Sequence, residues 1–215
     1  MGIRIVIVED HPLMQKGLAL TLQSEQGMEV VGMVSAAEQA SELIEKTAPD
    51  LAIVDISLPG MSGLELIRLL KAQFEQLRIL VISRHDEELF AERAIRAGAR
   101  GYMMKMNAGD QVVEAVCKIM DGGTYLSEKI SNRMLMSFSS GMAARQNSPI
   151  EVLSERELQV FRMIGNGRPT REIAERLHIS SKTVDSYKAR IREKLGISDG
   201  PALLQSAVQW MKEER

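Results

Sequence analysis

The chain has 215 residues, 45% hydrophobic and 26% charged, which suits a globular protein of one or two domains. Lys and Arg number 27 against 29 Asp and Glu, so the whole chain carries no polyanion-binding excess of positive charge. The charge is uneven, however: residues 151–215 carry a net +2 and residues 1–150 a net −4, which permits a nucleic-acid contact at the C-terminal end without establishing one.

Cys117 is the single cysteine, so no internal disulfide framework exists and a reducing, cytoplasmic compartment is expected. Its helical surroundings predict a small buried side chain. His11, His85 and His178 lack zinc-ligand spacing. No apolar run approaches the ~20 residues of a membrane helix, so no membrane partner is expected. Ile3–Val8 is too short for a signal-peptide core, and Val6 stands where N-myristoylation requires Ser or Thr.

In chain order, short β-branched runs alternate with helical patterns as far as residue 122. Strands are predicted at Ile3–Val8, Glu29–Val34, Leu51–Val54, Ile79–Ser83 and Arg100–Met104. Helices are predicted near 12–25, 36–47, 63–74, 87–97 and 108–120. Ser35 with Glu38 and Ser62 with Glu65 read as capping boxes, and Asn107 precedes Asp110 at the same spacing. Gly98, Gly122 and Gly123 read as helix stops. Five such βα units predict a five-stranded parallel sheet covered on both faces. Right-handed crossovers then bring every strand-ending loop to one edge.

Those loops carry compatible chemistry. The first strand ends in Glu9-Asp10, the third in Asp55, the fourth in Ser83 and the fifth in Lys105. In an open α/β sheet this edge is where ligands bind. Three clustered carboxylates repel, and oxygen donors without Cys or His point to Mg²⁺. The Ser83 hydroxyl and the Lys105 ammonium suit a phosphoryl group held on Asp55.

Glu9-Asp10, Asp55 with Pro59, Gly60 and Gly63, Ser83, and the Gly101-Tyr102-Met103-Met104-Lys105 string together resemble the receiver domain of two-component response regulators. The resemblance covers residues 1–122. It implies a doubly wound, flavodoxin-like α/β sheet of order 2-1-3-4-5. It also implies Asp55 as phosphoacceptor, Glu9 and Asp10 serving Mg²⁺, and the Ser57 backbone carbonyl as a further metal ligand. Ser83 and Tyr102 match the pair that switches orientation on phosphorylation. Met106 replaces the Pro that follows the lysine in many receivers, so no cis peptide is expected there.

Residues 123–150 read as a linker with one helix over Ser127–Phe138, followed by a Ser-, Gly- and Pro-containing stretch. Residues 151–215 are helical. Ser154 and Glu157 form a further capping box; Gly165 and Gly167 end that helix; Thr170–Leu177 is short and amphipathic. Ser180 caps a helix over 181–194 whose inward face is Val184, Ile191 and Leu195. Two helices joined by such a tight turn form a helix-turn-helix. The second carries Lys182, Lys188, Arg190, Arg192 and Lys194 against Asp185 and Glu193, net +3.

The string from Arg171 to Gly196 resembles the LuxR-type DNA-binding domain, and the whole chain resembles a NarL/FixJ-class response regulator. The match implies that Lys182, Thr183 and Val184 enter the major groove of double-stranded DNA. Ser186, Tyr187, Lys188, Arg190 and Lys194 complete the expected contact set. Tyr187 replaces a frequent His. Pro201 starts a last helix in which Ala202, Leu203 and Ala207 match a dimer contact, the other reading being that they close the small core.

The resulting expectation is a transcription regulator rather than an enzyme, its own phosphorylation and dephosphorylation apart. A sensor histidine kinase supplies the phosphoryl group. A homodimer forms on phosphorylation and binds paired half-sites, with RNA polymerase as a further expected partner. His85, two residues past Ser83, is placed to shape water access to the aspartyl phosphate. Two rivals differ in class. An aspartyl-nucleophile phosphatase normally needs an acid where Ser57 stands. A regulator switched by an apolar ligand needs an apolar pocket, which this polar edge does not provide.

Overall fold

The structure, a computed structural model, describes residues 2–59, 61–139, 149–177 and 179–213. The chain divides into two compact units, Met1–Gly141 and Met142–Arg215.

The first unit is a parallel sheet flanked by helices. β1 (Ile3–Val8), β2 (Met28–Val34), β3 (Leu51–Val54), β4 (Arg78–Ser83) and β5 (Gly101–Met104) lie in the order β2-β1-β3-β4-β5. The helices are α1 (Pro12–Gln23), α2 (Ala40–Thr47), α3 (Gly63–Gln73), α4 (Glu87–Ala97), α5 (Ala108–Met120) and α6 (Glu128–Ser139). β3 is the shortest strand together with β5, and it is wholly buried, as a central strand covered on both faces must be. One core beneath β1, β3 and β4 packs Ile5, Ile7, Ile53 and Leu80 against Leu18 and Leu22 of α1 and Val112 and Val116 of α5.

Register sets the functional edge. Val8 pairs with Val54, Val54 with Val81, and Ser83 with Met104. The strands therefore end nearly level, and the next residues emerge side by side. The β3–α3 loop then folds back tightly: Gly63 N donates to Ile56 O at 2.9 Å. A Cβ on Gly63 would lie 2.2 Å from Asp55 O, so only glycine fits there. The Ser62–Glu65 capping box forms in both directions and starts α3.

Three local expectations are corrected. Ser35 and Glu38 do not form a capping box: Ala37–Gln39 is a 3₁₀ turn capped at Ala36 without a side-chain bond, and Glu38 accepts from Met61 N instead. Asn107 makes no side-chain cap, because Lys105–Asn107 is itself a 3₁₀ turn running into α5. Cys117 is exposed: it lies on the outer side of α5, while Val116 and Ile119 take the inner one. Lys105-Met106 is trans, as every described peptide bond is.

After α5 the chain returns to the sheet. Tyr125 makes an isolated parallel bridge to Gly101 on the free edge of β5. α6 then packs against α4.

The second unit contains α7 (Glu155–Gly165), α8 (Thr170–Leu177), α9 (Ser181–Leu195) and α10 (Gly200–Glu213). Both the Ser154–Glu157 box and the Ser180 cap are present, and Gly196 ends α9 with φ 64°. Gly165 lets α7 and α10 approach closely, since a Cβ there would stand 2.7 Å from Ala207 O. The Phe161 and Trp210 rings pack at 5.7 Å in the same contact.

Candidate functional site

At the carboxyl edge of the sheet, Asp55 is 1% exposed and Glu9 2%. Two carboxylates cannot be buried this deeply without a counter-charge. Lys105 supplies it, with Nζ 2.7 Å from both the Glu9 and the Asp55 carboxylates. Asp10 is half-buried beside them. Oxygens of Glu9, Asp10 and Asp55 and a nitrogen of His11 all lie within 4.8 Å of one another. Leaving His11 aside, three carboxylates and one ammonium give the site a net charge of −2. A divalent cation would neutralise it, and hard oxygen donors match such an ion. Ser57 N donates to Asp55 Oδ1 at 3.1 Å, which orients the aspartate.

His11 joins the cluster through Nδ1, 2.6 Å from Asp10 and 3.1 Å from Glu9. The sequence reading did not use it; its one signal was direct adjacency to Glu9-Asp10. A second missed contact spans the site: Ser57 Oγ lies 2.7 Å from His85 Nε2. The partners are far apart in sequence, and only the level strand ends bring their loops together.

Ser83 is fully buried at the end of β4, and its Oγ accepts from His85 N at 3.1 Å. Tyr102 points inward. It is 2% exposed, and its hydroxyl donates to His85 O at 2.8 Å. Burial pushes its phenol pKa well above the ordinary value, with the Asp55, Asp86 and Glu87 charges adding to the shift and a Ser83 hydrogen bond opposing it. The structure thus holds the Tyr102 side chain turned inward, against the loop before α4.

In the helical unit, Ser180, Lys182, Thr183, Ser186, Tyr187 and Arg190 line one shallow concavity along α9. The Arg190 guanidinium lies 5.9 Å from the Tyr187 ring centroid. The remaining residues expected at DNA are placed differently. Val184 is 0% exposed and belongs to the core with Ile191. Lys188 Nζ donates to Thr170 Oγ1. Lys194 pairs at 2.7 Å with the buried Glu157 carboxylate. Burial alone would raise the Glu157 pKa, but hydrogen bonds from Lys194 and Ser154 outweigh it and hold it low. Of the residues expected at a dimer contact, Ala202 is half-buried, while Leu203 and Ala207 close the core; Leu204 is the exposed apolar neighbour.

A flavodoxin-like sheet with an acidic, lysine-containing edge, joined to a helix-turn-helix unit, defines a signal-receiving DNA-binding regulator. Family comparison agrees at both ends of the chain. The response regulator receiver domain family matches residues 5–117, and the luxR family of bacterial regulatory proteins matches residues 151–207. The chain belongs to the two-component response regulators of the NarL/FixJ class. It is a transcriptional response regulator and not a classical enzyme.

Among its relatives, response regulator GacA of Pseudomonas aeruginosa is 33% identical over 207 residues, covering 96% of each chain. Response regulator UvrY of Escherichia coli K12 is 34% identical, covering 96% of this chain and 94% of that one. Among solved structures, RcsB of Salmonella enterica serovar Typhimurium, bound to promoter P1flhDC in the presence of the phosphomimetic BeF3⁻, is 27% identical. It aligns with a TM-score of 0.58 over 97% of this chain and 100% of that one. No helix among the described residues is long and apolar enough to cross a membrane.

Proposed function

We propose that Asp55 accepts a phosphoryl group from the histidine of a sensor kinase and that this event controls promoter binding by α9. The observation that carries the reading is Lys105, which bridges the buried Asp55 and Glu9 carboxylates at 2.7 Å. Buried pairs of like charge are costly, and an ammonium between them is placed to grip phosphoryl oxygens once Asp55 is phosphorylated. An Asp55 carboxylate oxygen attacks phosphorus; the P–N bond to the kinase histidine breaks, and its electron pair stays on the imidazole. Glu9, Asp10, Asp55 and the Ser57 carbonyl would hold Mg²⁺, whose chemistry is to offset the negative charge gathered at phosphorus. Ser83 donates its hydroxyl to a phosphoryl oxygen. Tyr102 is retained inward by His85 O, which stabilises that arrangement of the loop before α4. His85, held against Ser57, covers one approach to Asp55 and governs how readily water reaches the acyl phosphate.

At the output end, Lys182, Thr183, Ser186, Tyr187 and Arg190 form the DNA-facing set. Lys188 and Lys194 contribute by seating α9 on α8 and α7. The phosphorylated protein is a homodimer on paired half-sites in the cytoplasm and contacts RNA polymerase there. RcsB bound to a promoter in the presence of a phosphomimetic supports a link between phosphorylation and promoter binding.

The test is one titration. Beryllium fluoride with Mg²⁺ is added to wild type and to Asp55→Asn, and dimerisation and promoter binding are measured. Both should rise in wild type and stay flat in the variant. No change in wild type refutes the switch.

A further inference from the structure

The segment after α5 is built into the surface that carries the switch. Tyr125 O accepts from Tyr102 N at 2.8 Å, and Tyr125 N donates to Arg100 O at 3.0 Å. The backbone of the switch tyrosine is therefore paired with residues beyond the last strand. α6 then lies on the first turns of α4. Ser127 Oγ donates to the Glu87 carboxylate at 2.9 Å. Lys129 pairs with Glu88. Arg133 donates to Glu88 O at 2.8 Å and approaches Glu92 at 3.5 Å. Ile130 is 1% exposed, which fixes the face that α6 presents.

α4 itself begins at the loop that Tyr102 holds. The Tyr102 hydroxyl grips His85 O, Asp86 caps the helix, and Glu87 and Glu88 follow at once. Tyr102 thus touches the seat of α6 twice: through its backbone at Tyr125 and through its side chain at the α4 entry loop.

We propose that residues 124–136 are an intramolecular ligand of the α4–β5 surface, and that phosphorylation of Asp55 tightens their docking. The inference rests on the phosphoacceptor reading. Its logic is linkage. The docked segment and the inward Tyr102 occur in one structure: one hydrogen bond joins them directly, Tyr102 N to Tyr125 O, and the Tyr102 hydroxyl holds the loop that leads into the α4 turns on which α6 sits. A phosphoryl group that favours inward Tyr102 fixes the α4 entry loop, and on this proposal the α4 turns so fixed bind the docked segment more tightly. Residues 124–136 are also the covalent route from the receiver toward α7. Tightening them shortens the free tether and closes the α4–β5 surface to other partners, so receiver pairing is left to other faces.

Hydrogen exchange of the full chain, read by mass spectrometry with beryllium fluoride and Mg²⁺, tests this. Amides of residues 128–136 should exchange about tenfold more slowly with the mimic, a typical size for coupling between two sites. Glu88→Lys, which sets like charges against Lys129 and Arg133, should speed the same amides, and adding Lys129→Glu should restore them. Protection around residues 55–57 and 83–86 with less than about threefold slowing in α6, or with acceleration there, overturns the inference while the phosphoacceptor reading stands. So does a Glu88→Lys variant whose α6 exchange is unchanged. Absence of protection at the site itself removes the phosphoacceptor reading, and the inference with it.

Discussion

Lys105→Met should destabilise the receiver unit, and Mg²⁺ should repair more of that loss than it adds to wild type. At an effective dielectric of about 20, Lys105 attracts each of Glu9 and Asp55 by about 6 kcal/mol at 2.7 Å. Like charges at the 4.8 Å limit of the cluster repel by about 3.5 kcal/mol. These gross terms set the direction: without the ammonium, the buried carboxylates are left with repulsion alone. Removing one partner from a buried ion pair costs about 3–5 kcal/mol in practice, and that is the loss expected in EDTA. A saturating cation at a hundredfold excess over its Kd stabilises wild type by about 2.7 kcal/mol. In the variant the site's net charge falls from −2 to −3, so the gain should exceed wild type's by about 1 kcal/mol or more. Urea unfolding followed by far-UV circular dichroism, with EDTA or Mg²⁺, measures both quantities. The receiver transition is the one that Mg²⁺ shifts, because the two compact units need not unfold together. An unmoved midpoint in EDTA, or equal Mg²⁺ shifts in both proteins, would refute the charge argument.

Gly63→Ala should cost about 3 kcal/mol or more in the same denaturation assay, because its Cβ would overlap the Asp55 carbonyl at 2.2 Å; a loss below about 1 kcal/mol would mean that the loop relaxes freely. Tyr102→Phe should lose about 1 kcal/mol at neutral pH with the hydroxyl bond to His85 O. Because the folded phenol pKa is raised, its contribution is full below about pH 10 and declines as pH rises further, so the Phe variant should lose less stability on the alkaline side. Glu157→Gln should weaken the helical unit by about 1–3 kcal/mol, read from a melt followed by the fluorescence of Trp210. With the folded Glu157 pKa lowered, wild type keeps this contribution above the ordinary carboxylate pKa and loses it as pH falls through the folded value; the Gln variant should show a flatter acid limb. Arg190→Ala should weaken DNA binding and, through a lost phosphate contact, lower the salt slope by about one; an unaltered affinity and slope would remove Arg190 from the interface.

The clustering of Glu9, Asp10, Asp55 and Lys105 was legible because each interrupts or ends an apolar run. Asp55 after Leu51–Val54 and Lys105 after Gly101–Met104 need only strand polarity to meet. The same reasoning could not see Ser57 bonded to His85, since that contact depends on rotamers in two loops. Nor could it see Tyr125 on the β5 edge, because a single bridging residue has no period to detect. In α9 the limit is angular. Helical spacing marked Val184 as inward, while the family resemblance assigned it to the groove, and burial decides for the core. Lys188 and Lys194 show the complementary case. Their charge puts them in a basic stripe, but Lys188 donates to Thr170 and Lys194 pairs with Glu157, so both also tie α9 to preceding helices. Charge alone therefore does not mark the contact set, and the concavity along α9 is lined by residues from Ser180 to Arg190. Lys182 and Arg190 are the basic residues that line that concavity, so the salt slope of promoter binding, rather than the charge count of α9, measures how many phosphates it meets.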